Sequence, residues 1–306
     1  MSAIAPELLG LYTKLGSGIT LGWFLGRALP QKIPFYLGLF LFWVGVPISI
    51  VAFFRKADLS GGVWVATLLS LSMTATACGI AWLFWQQWPG ENKSPRIQGS
   101  FLLASMVGNT GYLGYPIVLT LAPESFFGWA VFYDLGSILG SYGFGVLLAS
   151  HYSSHSSTVR SCIKNILSTP ALWAMGMGLW FRQIPLPTLL EDNLLNFAWA
   201  TLVASLVLIG MRISQIRSWG HLPLAATGLS IKMLILPLIL GFLLKFLGMA
   251  SSPLLVMVLQ KGMPPAFATL VISEAYGLDQ ELSVTALTTG VILLLLTLPI
   301  WLWLFN

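Results

Sequence analysis

Charged residues are scarce in this sequence: Asp, Glu, Lys and Arg make up 8% of its 306 residues, against about 25% in a soluble globular domain. Cysteine is scarcer still, with only Cys78 and Cys162, too few for a disulfide-stapled secreted fold or a cysteine metal site. The net charge of +5 comes from basic residues scattered singly. These shortages exclude an ordinary cytosolic enzyme and a nucleic-acid-binding protein, and they give no basis for a metal site or an organic cofactor.

Apolar residues supply 57% of the chain, and its mean hydropathy is +0.84. No soluble core could hide so much apolar surface, so the composition predicts an integral membrane protein whose solvent is the lipid bilayer. A membrane-spanning helix needs about 20 apolar residues, and that length selects ten candidate helices. Their predicted limits are 6–28, 34–54, 60–85, 97–120, 124–150, 163–182, 188–211, 219–247, 252–275 and 281–304.

The basic residues of the connectors predict the orientation of the chain. Connectors after odd-numbered helices hold Arg27, Lys32, Lys93, Arg96, Arg160, Lys164, Arg212 and Arg217, whereas the others hold Arg55, Lys56, Arg182 and Lys245. Because basic connectors stay in the cytoplasm, we expect the connector at 151–164 to be cytoplasmic and both termini to lie outside the plasma (inner) membrane. The first charged residue is Glu7, so no cleaved signal peptide is expected.

The connector at 151–164 divides the predicted helices into two sets of five, residues 1–150 and 165–306. Because five is odd, the second set begins on the opposite side of the membrane, as in an inverted repeat. Segments 22–30 and 178–185, which close the first and sixth helices, share a similar order of Gly, Trp, Phe, Arg and Pro. We therefore predict an all-α polytopic membrane protein with ten transmembrane helices in two inverted five-helix repeats.

Glycine and proline interrupt the fourth helix of each predicted repeat. Residues 108–116 contain three glycines, Asn109 and Pro116, and residues 260–265 contain Lys261, a glycine and two consecutive prolines. Backbone freed at mid-membrane needs partners from the protein or a watery cavity, and paired interruptions of this kind mark transporter binding sites. The N-termini of half-helices favour an anion. The predicted substrate-binding residues are Asn109, Thr110, Gly111, Tyr112, Gly114, Pro116, Lys261, Gly262, Met263, Pro264 and Pro265.

Ionisable residues inside predicted membrane helices are functional candidates, because their burial is costly. Lys261 is expected to supply positive charge for the substrate, or to stand where a coupling sodium ion would otherwise bind. Asp134, in the middle of the fifth helix, is a candidate to pair with Lys261 or to carry a coupling proton. Lys232 lies away from both interruptions in the sequence, so internal pairing or snorkelling is its expected role.

The ordered landmarks of the chain resemble the auxin efflux carrier family, which includes plant PIN-formed carriers and bacterial permeases. Asn109-Thr110 with Gly114-Tyr115-Pro116 resembles that family's fourth-helix pattern, and Met263-Pro264 with Tyr276-Gly277-Leu278-Asp279 resembles its ninth-helix pattern. Thr288-Thr289-Gly290 with Leu298-Pro299 is similar to its last helix, and Val46-Pro47 fits its second. The resemblance extends over essentially the whole chain.

This resemblance implies a fold related to that of the bile acid sodium symporters. Helices 1, 2, 6 and 7 would form a scaffold (about 1–58 and 165–217), and the others a transport domain (about 59–150 and 218–306), with broken helices 4 and 9 crossing. It also implies carriage of small organic anions by an elevator-type alternating-access mechanism, and a homodimer formed through the scaffold.

Three other functions are weighed against a carrier. A membrane-embedded enzyme is disfavoured, because the sequence lacks an HExxH motif, a G-x-S-x-G elbow and the second Asp of an intramembrane aspartyl protease. A sodium- or proton-coupled symporter or antiporter stays open, although Lys261 would repel a cation near Asn109, Thr110 and Gln260. A channel or a non-transporting sensor is the third. The prediction is a secondary transporter of small organic anions or weak acids, with H+ or Na+ as the candidate coupling ion.

Overall fold

The computed structural model describes residues 4–30, 32–89, 93–153, 167–168, 170–215 and 221–305. Cys162 and most of the predicted connector at 151–164 lie outside these ranges. Within them the chain forms twelve helices and no β-strand. The helices are α1 (Ile4–Ala28), α2 (Lys32–Lys56), α3 (Trp64–Gln87), α4 (Pro95–Met106), α5 (Tyr115–Leu121), α6 (Glu124–Tyr152), α7 (Pro170–Phe181), α8 (Thr188–Ser214), α9 (Leu222–Phe246), α10 (Ser251–Lys261), α11 (Phe267–Ala275) and α12 (Gln280–Phe305).

Six of these helices, α2, α3, α6, α8, α9 and α12, are each long and apolar enough to cross a membrane. Both expected interruptions are present, since α4 ends well before α5 begins and α10 ends well before α11 begins. The predicted all-helical character is therefore confirmed for the described residues, which include six candidate membrane spans. The arrangement of ten transmembrane helices in two inverted repeats stays a prediction.

Three short π-helical turns each end two residues before a proline. They are Leu41–Gly45 before Pro47, Thr110–Gly114 before Pro116, and Ile231–Ile235 before Pro237. In two of them the residue just before the proline donates its N–H to a carbonyl five residues back. Proline lacks an N–H and clashes with the carbonyl four residues before it, and the wider π turn makes room for it. The turn Thr110–Gly114 lies within the first interruption, and the turn Ile231–Ile235 carries Lys232.

The chain folds into two compact units. The first unit contains Met1–Gly61, Gly111–Val131 and Thr169–Arg217, and the second unit contains Gly62–Thr110, Phe132–Ser168 and Ser218–Asn306. Each unit is therefore built from separate stretches of sequence, and the chain passes from one to the other within the first interruption and within α6.

The first unit is held by a close crossing of α1 and α8. A Cβ added at Gly22 would overlap the carbonyl of Val207, and one added at Gly210 would overlap the carbonyl of Ile19. Small residues at such positions let two membrane helices approach backbone to backbone. Both glycines are therefore required by packing.

The second unit buries its interior where α4, α9 and α12 meet. Gly228 of α9 faces Ser105 and Phe101 of α4, where an added Cβ would lie 2.8 Å from the Ser105 hydroxyl oxygen. The Phe101 ring also contacts Trp85 of α3, with centroids 6.0 Å apart. These contacts fix α4 in the middle of the unit.

A cluster of serines joins α4, α11 and α12. The hydroxyl of Ser100 donates to the carbonyl of Asp279 at 2.7 Å and lies 3.3 Å from the Ser273 hydroxyl. Ser273 in turn lies 2.8 Å from the hydroxyl of Ser283. The Asp279 carboxylate accepts from the N–H of Leu282 at 2.7 Å and so caps α12. The start of α4, the end of α11 and the start of α12 are thereby tied together.

Candidate functional site

The two interrupted segments of the second unit pair with each other. Gly108 and Pro265 form an isolated antiparallel β-bridge, and the backbone N–H of Asn109 donates to the carbonyl of Pro264 at 2.8 Å. All four residues are buried or nearly so. The crossing defined by 108–109 and 264–265 therefore lies in the protein interior, and we call it the crossing.

The local sequence explains why the segments pair here. Neither Pro264 nor Pro265 has an N–H, so this segment can only accept backbone hydrogen bonds. Asn109 supplies the donor, which satisfies backbone that lipid could not. Gly290 of α12 lies against both prolines, since a Cβ there would be 2.9 Å from the nearest atom of each. The glycine is what lets α12 cover the crossing closely.

Lys261 ends α10 directly before the interruption. Its side chain is buried, and its ammonium group donates to the carbonyl of Met73 on α3 at 3.4 Å. The last turn of a helix favours a cation, because the helix dipole places negative partial charge there. The Lys261 side chain therefore points into the second unit.

Lys232 also reaches the crossing, from the π turn of α9. It is 1% exposed, and a Cβ added at Gly108 would lie 3.0 Å from its ammonium nitrogen. Two buried lysines thus flank the paired segments, and only a glycine at 108 leaves the end of Lys232 undisturbed.

Asp134 lies on α6, within the second unit. Its carboxylate accepts a hydrogen bond from the hydroxyl of Thr110, and both residues are buried. Thr110 follows Asn109 directly, so the carboxylate is tied to the same interruption. The prediction that Asp134 pairs with Lys261 or carries a proton stays a prediction.

The remaining predicted residues of the second unit are Gly262, Met263, Pro264 and Pro265. All are buried. Gly262 faces the indole of Trp301 on α12, where an added Cβ would lie 2.9 Å from the ring nitrogen. That ring N–H is buried without a hydrogen-bond partner, which makes it a spare donor beside the end of α10.

The other predicted residues, Gly111, Tyr112, Gly114 and Pro116, fall in the first unit. There the Tyr112 carbonyl accepts a hydrogen bond from the Ser205 hydroxyl at 3.0 Å. Gly111 and Gly114 belong to the π turn, and Pro116 opens α5. The first interruption therefore contributes Gly108 and Asn109 to the crossing, and Thr110 to the second unit, while the rest of its π turn, Gly111 to Gly114, belongs to the first unit.

Sequence reasoning missed Lys232. It is 124 positions from Gly108 in the chain, so no spacing rule joins the two residues. The available signal was a lysine inside a long apolar helix, five residues before Pro237. Because a buried lysine in a membrane helix is costly, the sequence alone makes Lys232 a functional candidate in the same way as Lys261.

Among the described residues, no group of three or more His, Cys, Asp or Glu could hold a metal ion. In the described part of the second unit, the buried residues with ordinarily charged side chains are Asp134, Lys232 and Lys261. All three belong to the second unit. Basic groups therefore outnumber the acidic group among these buried residues, and what their amines can do chemically is bind an anion.

Comparison with known proteins also points to a transporter. Residues 153–302 match the family described as membrane transport protein. An uncharacterised transporter of Methanothermobacter thermautotrophicus is 29% identical to this chain over 84% of each protein. One of Methanocaldococcus jannaschii is 26% identical over 67% of this chain and 68% of its own length. Residues 153–302 therefore match the membrane transport protein family, and both relatives are named as transporters, which confirms at the family level the prediction drawn from the resemblance to the auxin efflux carriers.

Proposed function

We propose that this membrane transporter is a secondary carrier of small organic anions. The crossing and the two buried lysines would form the anion site. Asn109 and the backbone of the interrupted segments would hold the polar groups of the substrate, and Lys232 and Lys261 would compensate its charge.

One observation carries this proposal: among the described residues of the second unit, two buried lysines accompany one buried carboxylate. An uncompensated charge in a low-dielectric interior is costly, so a buried cation needs a partner. A bound anion supplies that partner. Membrane-embedded ionisable groups of this kind mark substrate or ion pathways in transporters.

The same lysines disfavour the alternative, a sodium-coupled symporter of related fold. Sodium sites use unwound carbonyls and carboxylate or amide oxygens, and the crossing offers such groups. Two ammonium groups beside it would repel the ion, since like charges at short range cost several kcal/mol. Outward movement of an anion is already favoured by a negative interior, by about 2.3 kcal/mol per charge per 100 mV.

The proposal includes an elevator-type alternating-access mechanism and residence in the plasma (inner) membrane. It includes both termini outside, the connector at 151–164 in the cytoplasm, and a homodimer. Single cysteines placed in that connector of a cysteine-free variant would report its side of the membrane through labelling by an impermeant thiol reagent. Mass determination in detergent would report the dimer.

The test of function is substrate-dependent current from proteoliposomes on a solid support. Indole-3-acetate, pyruvate, monomethyl succinate, succinate and malate would be applied, each with and without sodium and with and without a pH gradient. The proposal expects current with at least one of these anions in the absence of both gradients.

Protein-free liposomes and liposomes holding the Lys261→Met variant serve as controls. A strict sodium or proton requirement would replace the proposal by a coupled symporter or antiporter, with Asp134 as the first residue to change. No current with any anion under any condition would reject anion transport.

A further inference from the structure

Basic residues without acidic neighbours gather at one end of the first unit. They are Arg27 in the last turn of α1, Lys32 at the start of α2 and Arg212 in the last turn of α8, and we call this set the basic end. We propose that the basic end binds the headgroup phosphate of an anionic phospholipid from the surrounding bilayer. This site lies outside the crossing, and the inference does not depend on the proposed function.

Contacts between helices bring the three basic residues to the same end. A Cβ added at the glycine before Arg27 would overlap the hydroxyl oxygen of Ser214 on α8. The guanidinium of Arg212, on the same turn of α8, donates to the carbonyl of Pro34 on α2 at 3.4 Å. Lys32 opens α2 two residues before that proline. Each basic residue is therefore within two positions of a residue in direct contact with another helix.

The acidic residues of the first unit lie at its opposite end. Residues later in α1 contact residues later in α8, whereas the start of α2 contacts the end of α8, so α1 and α8 run parallel and α2 runs against them. The acidic residues are near the starts of α1, α6 and α8 or directly after α2, and they are Glu7, Asp58, Glu124, Glu191 and Asp192. Arg55 pairs with Glu191 there, whereas the described part of the first unit offers the basic end no carboxylate.

The basic end stands at the depth of lipid headgroups. Lys32–Lys56 and Thr188–Ser214 are candidate membrane spans, and the basic end is where the first begins and the second ends. The guanidinium of Arg27 lies over the ring of Trp23, 3.7 Å from its centroid, a cation–π contact with an aromatic residue typical of the membrane interface. Large apolar side chains beside the basic end are exposed, namely Phe24, Leu29, Ile33, Phe35 and Tyr36.

A phospholipid matches both parts of this surface. Its phosphate suits guanidinium and ammonium groups, and its acyl chains cover exposed apolar side chains. Gln215, three residues after Arg212, adds a donor, because its side-chain amide nitrogen is buried without a hydrogen-bond partner. The residue as a whole is only partly buried, so its amide group can turn toward a phosphate oxygen. The basic end is also the one predicted to be cytoplasmic, and the cytoplasmic leaflet is rich in anionic lipid.

The experiment titrates lipid into the purified full-length protein in detergent and follows the thermal unfolding midpoint, whose rise with lipid concentration gives an apparent affinity. The probes are dioleoyl phosphatidylglycerol, which has a net negative charge, and dioleoyl phosphatidylcholine, which has the same chains and a phosphate but no net charge. The wild type is expected to bind phosphatidylglycerol at least about fivefold more tightly. An excess of inorganic phosphate should not displace the lipid, because free phosphate has no acyl chains.

Arg27→Gln and Lys32→Gln each remove one positive charge from an exposed side chain, so both variants should fold. Each is expected to weaken the binding of phosphatidylglycerol by about fivefold, the size of one basic residue's attraction to an anionic membrane surface. The affinity for phosphatidylcholine should change less. Lys56→Gln is the matched control, because it makes the same change at an exposed lysine at the other end of α2, and it should bind both lipids as the wild type does.

Three results would overturn the lipid site. They are equal affinity of the wild type for the two lipids, displacement of phosphatidylglycerol by inorganic phosphate, and the same affinity for phosphatidylglycerol in Lys32→Gln and Lys56→Gln. The second result would make the basic end a site for free phosphate. Because lipid binding is measured without a transported substrate, failure of the transport test would leave this inference standing, and failure of the lipid test would leave anion transport standing.

Discussion

The backbone N–H of Asn109 donates a hydrogen bond to the carbonyl of Pro264, at 2.8 Å. This bond joins two chain segments that each interrupt a helix and that lie 155 positions apart in the sequence. It involves only backbone atoms, so it survives any substitution at position 109 other than proline. The side chain of Asn109 is therefore available for a role separate from holding the two segments together.

Asn109→Ala is expected to abolish anion transport while the protein still folds and inserts. The backbone bond to Pro264 remains, and only the amide side chain is lost. Currents from proteoliposomes measure the loss of transport, and the elution profile in detergent shows whether the variant still folds. Unchanged transport would remove Asn109 from the site, and a collapsed elution profile would make its role structural.

Gly108→Ala is expected to weaken transport by about tenfold or more at low substrate, because small misplacements of charged groups have effects of that size. The added methyl would lie 3.0 Å from the Lys232 ammonium nitrogen and would displace it. Gly79→Ala is the matched control, since no heavy atom lies within 4 Å of its added Cβ. Equal transport by the two variants would contradict the placement of Lys232.

Glycine packing in the first unit gives a prediction about stability. Gly22→Ala should destabilise the protein by about 1–3 kcal/mol, the usual cost of overpacking a tight interior. Its Cβ would overlap the Val207 carbonyl, whereas a Cβ at Gly16 of the same helix meets open space. Thermal unfolding in detergent should show a lower midpoint for Gly22→Ala only. A matching midpoint in Gly16→Ala and Gly22→Ala would contradict the close α1–α8 crossing.

Arg55 gives a second prediction about stability. Its guanidinium donates to the carbonyls of Phe181 and Ile184, where the chain leaves α7. Lysine cannot reproduce this two-pronged contact, so Arg55→Lys should cost about 2 kcal/mol, the range of charge-assisted hydrogen bonds. Lys56→Arg, at the exposed neighbouring position, should leave the unfolding midpoint unchanged. The same unfolding midpoint in both variants would show that the two hydrogen bonds from Arg55 do not support the end of α7.

The sequence predicted the parts of this molecule that depend on local chemistry. Gly108 to Pro116 and Gly262 to Pro265 cannot form regular helices, so both interruptions could be located from residue type alone. Lys261 was identified because it adjoins an interruption in the chain. Composition was enough to predict the membrane.

Relationships between distant segments could not be derived in this way. Lys232 reaches Gly108 through the packing of α9 against α4, and Asp134 meets Thr110 through the packing of α6. The pairing of Asn109 with Pro264 was expected only through a resemblance. The π turns before Pro47, Pro116 and Pro237 were also missed, because proline in an apolar run predicts a kink and not the form that the helix takes around it.

The central claim is that Lys232 and Lys261 together hold the transported anion, and charge neutralisation at each position tests it most directly. The measurement is anion-dependent current from proteoliposomes that contain equal amounts of wild type, Lys232→Met, Lys261→Met and the exposed control Lys245→Met. The account predicts at least about tenfold lower currents for the first two variants and wild-type current for Lys245→Met. Wild-type currents from Lys232→Met or Lys261→Met would contradict it.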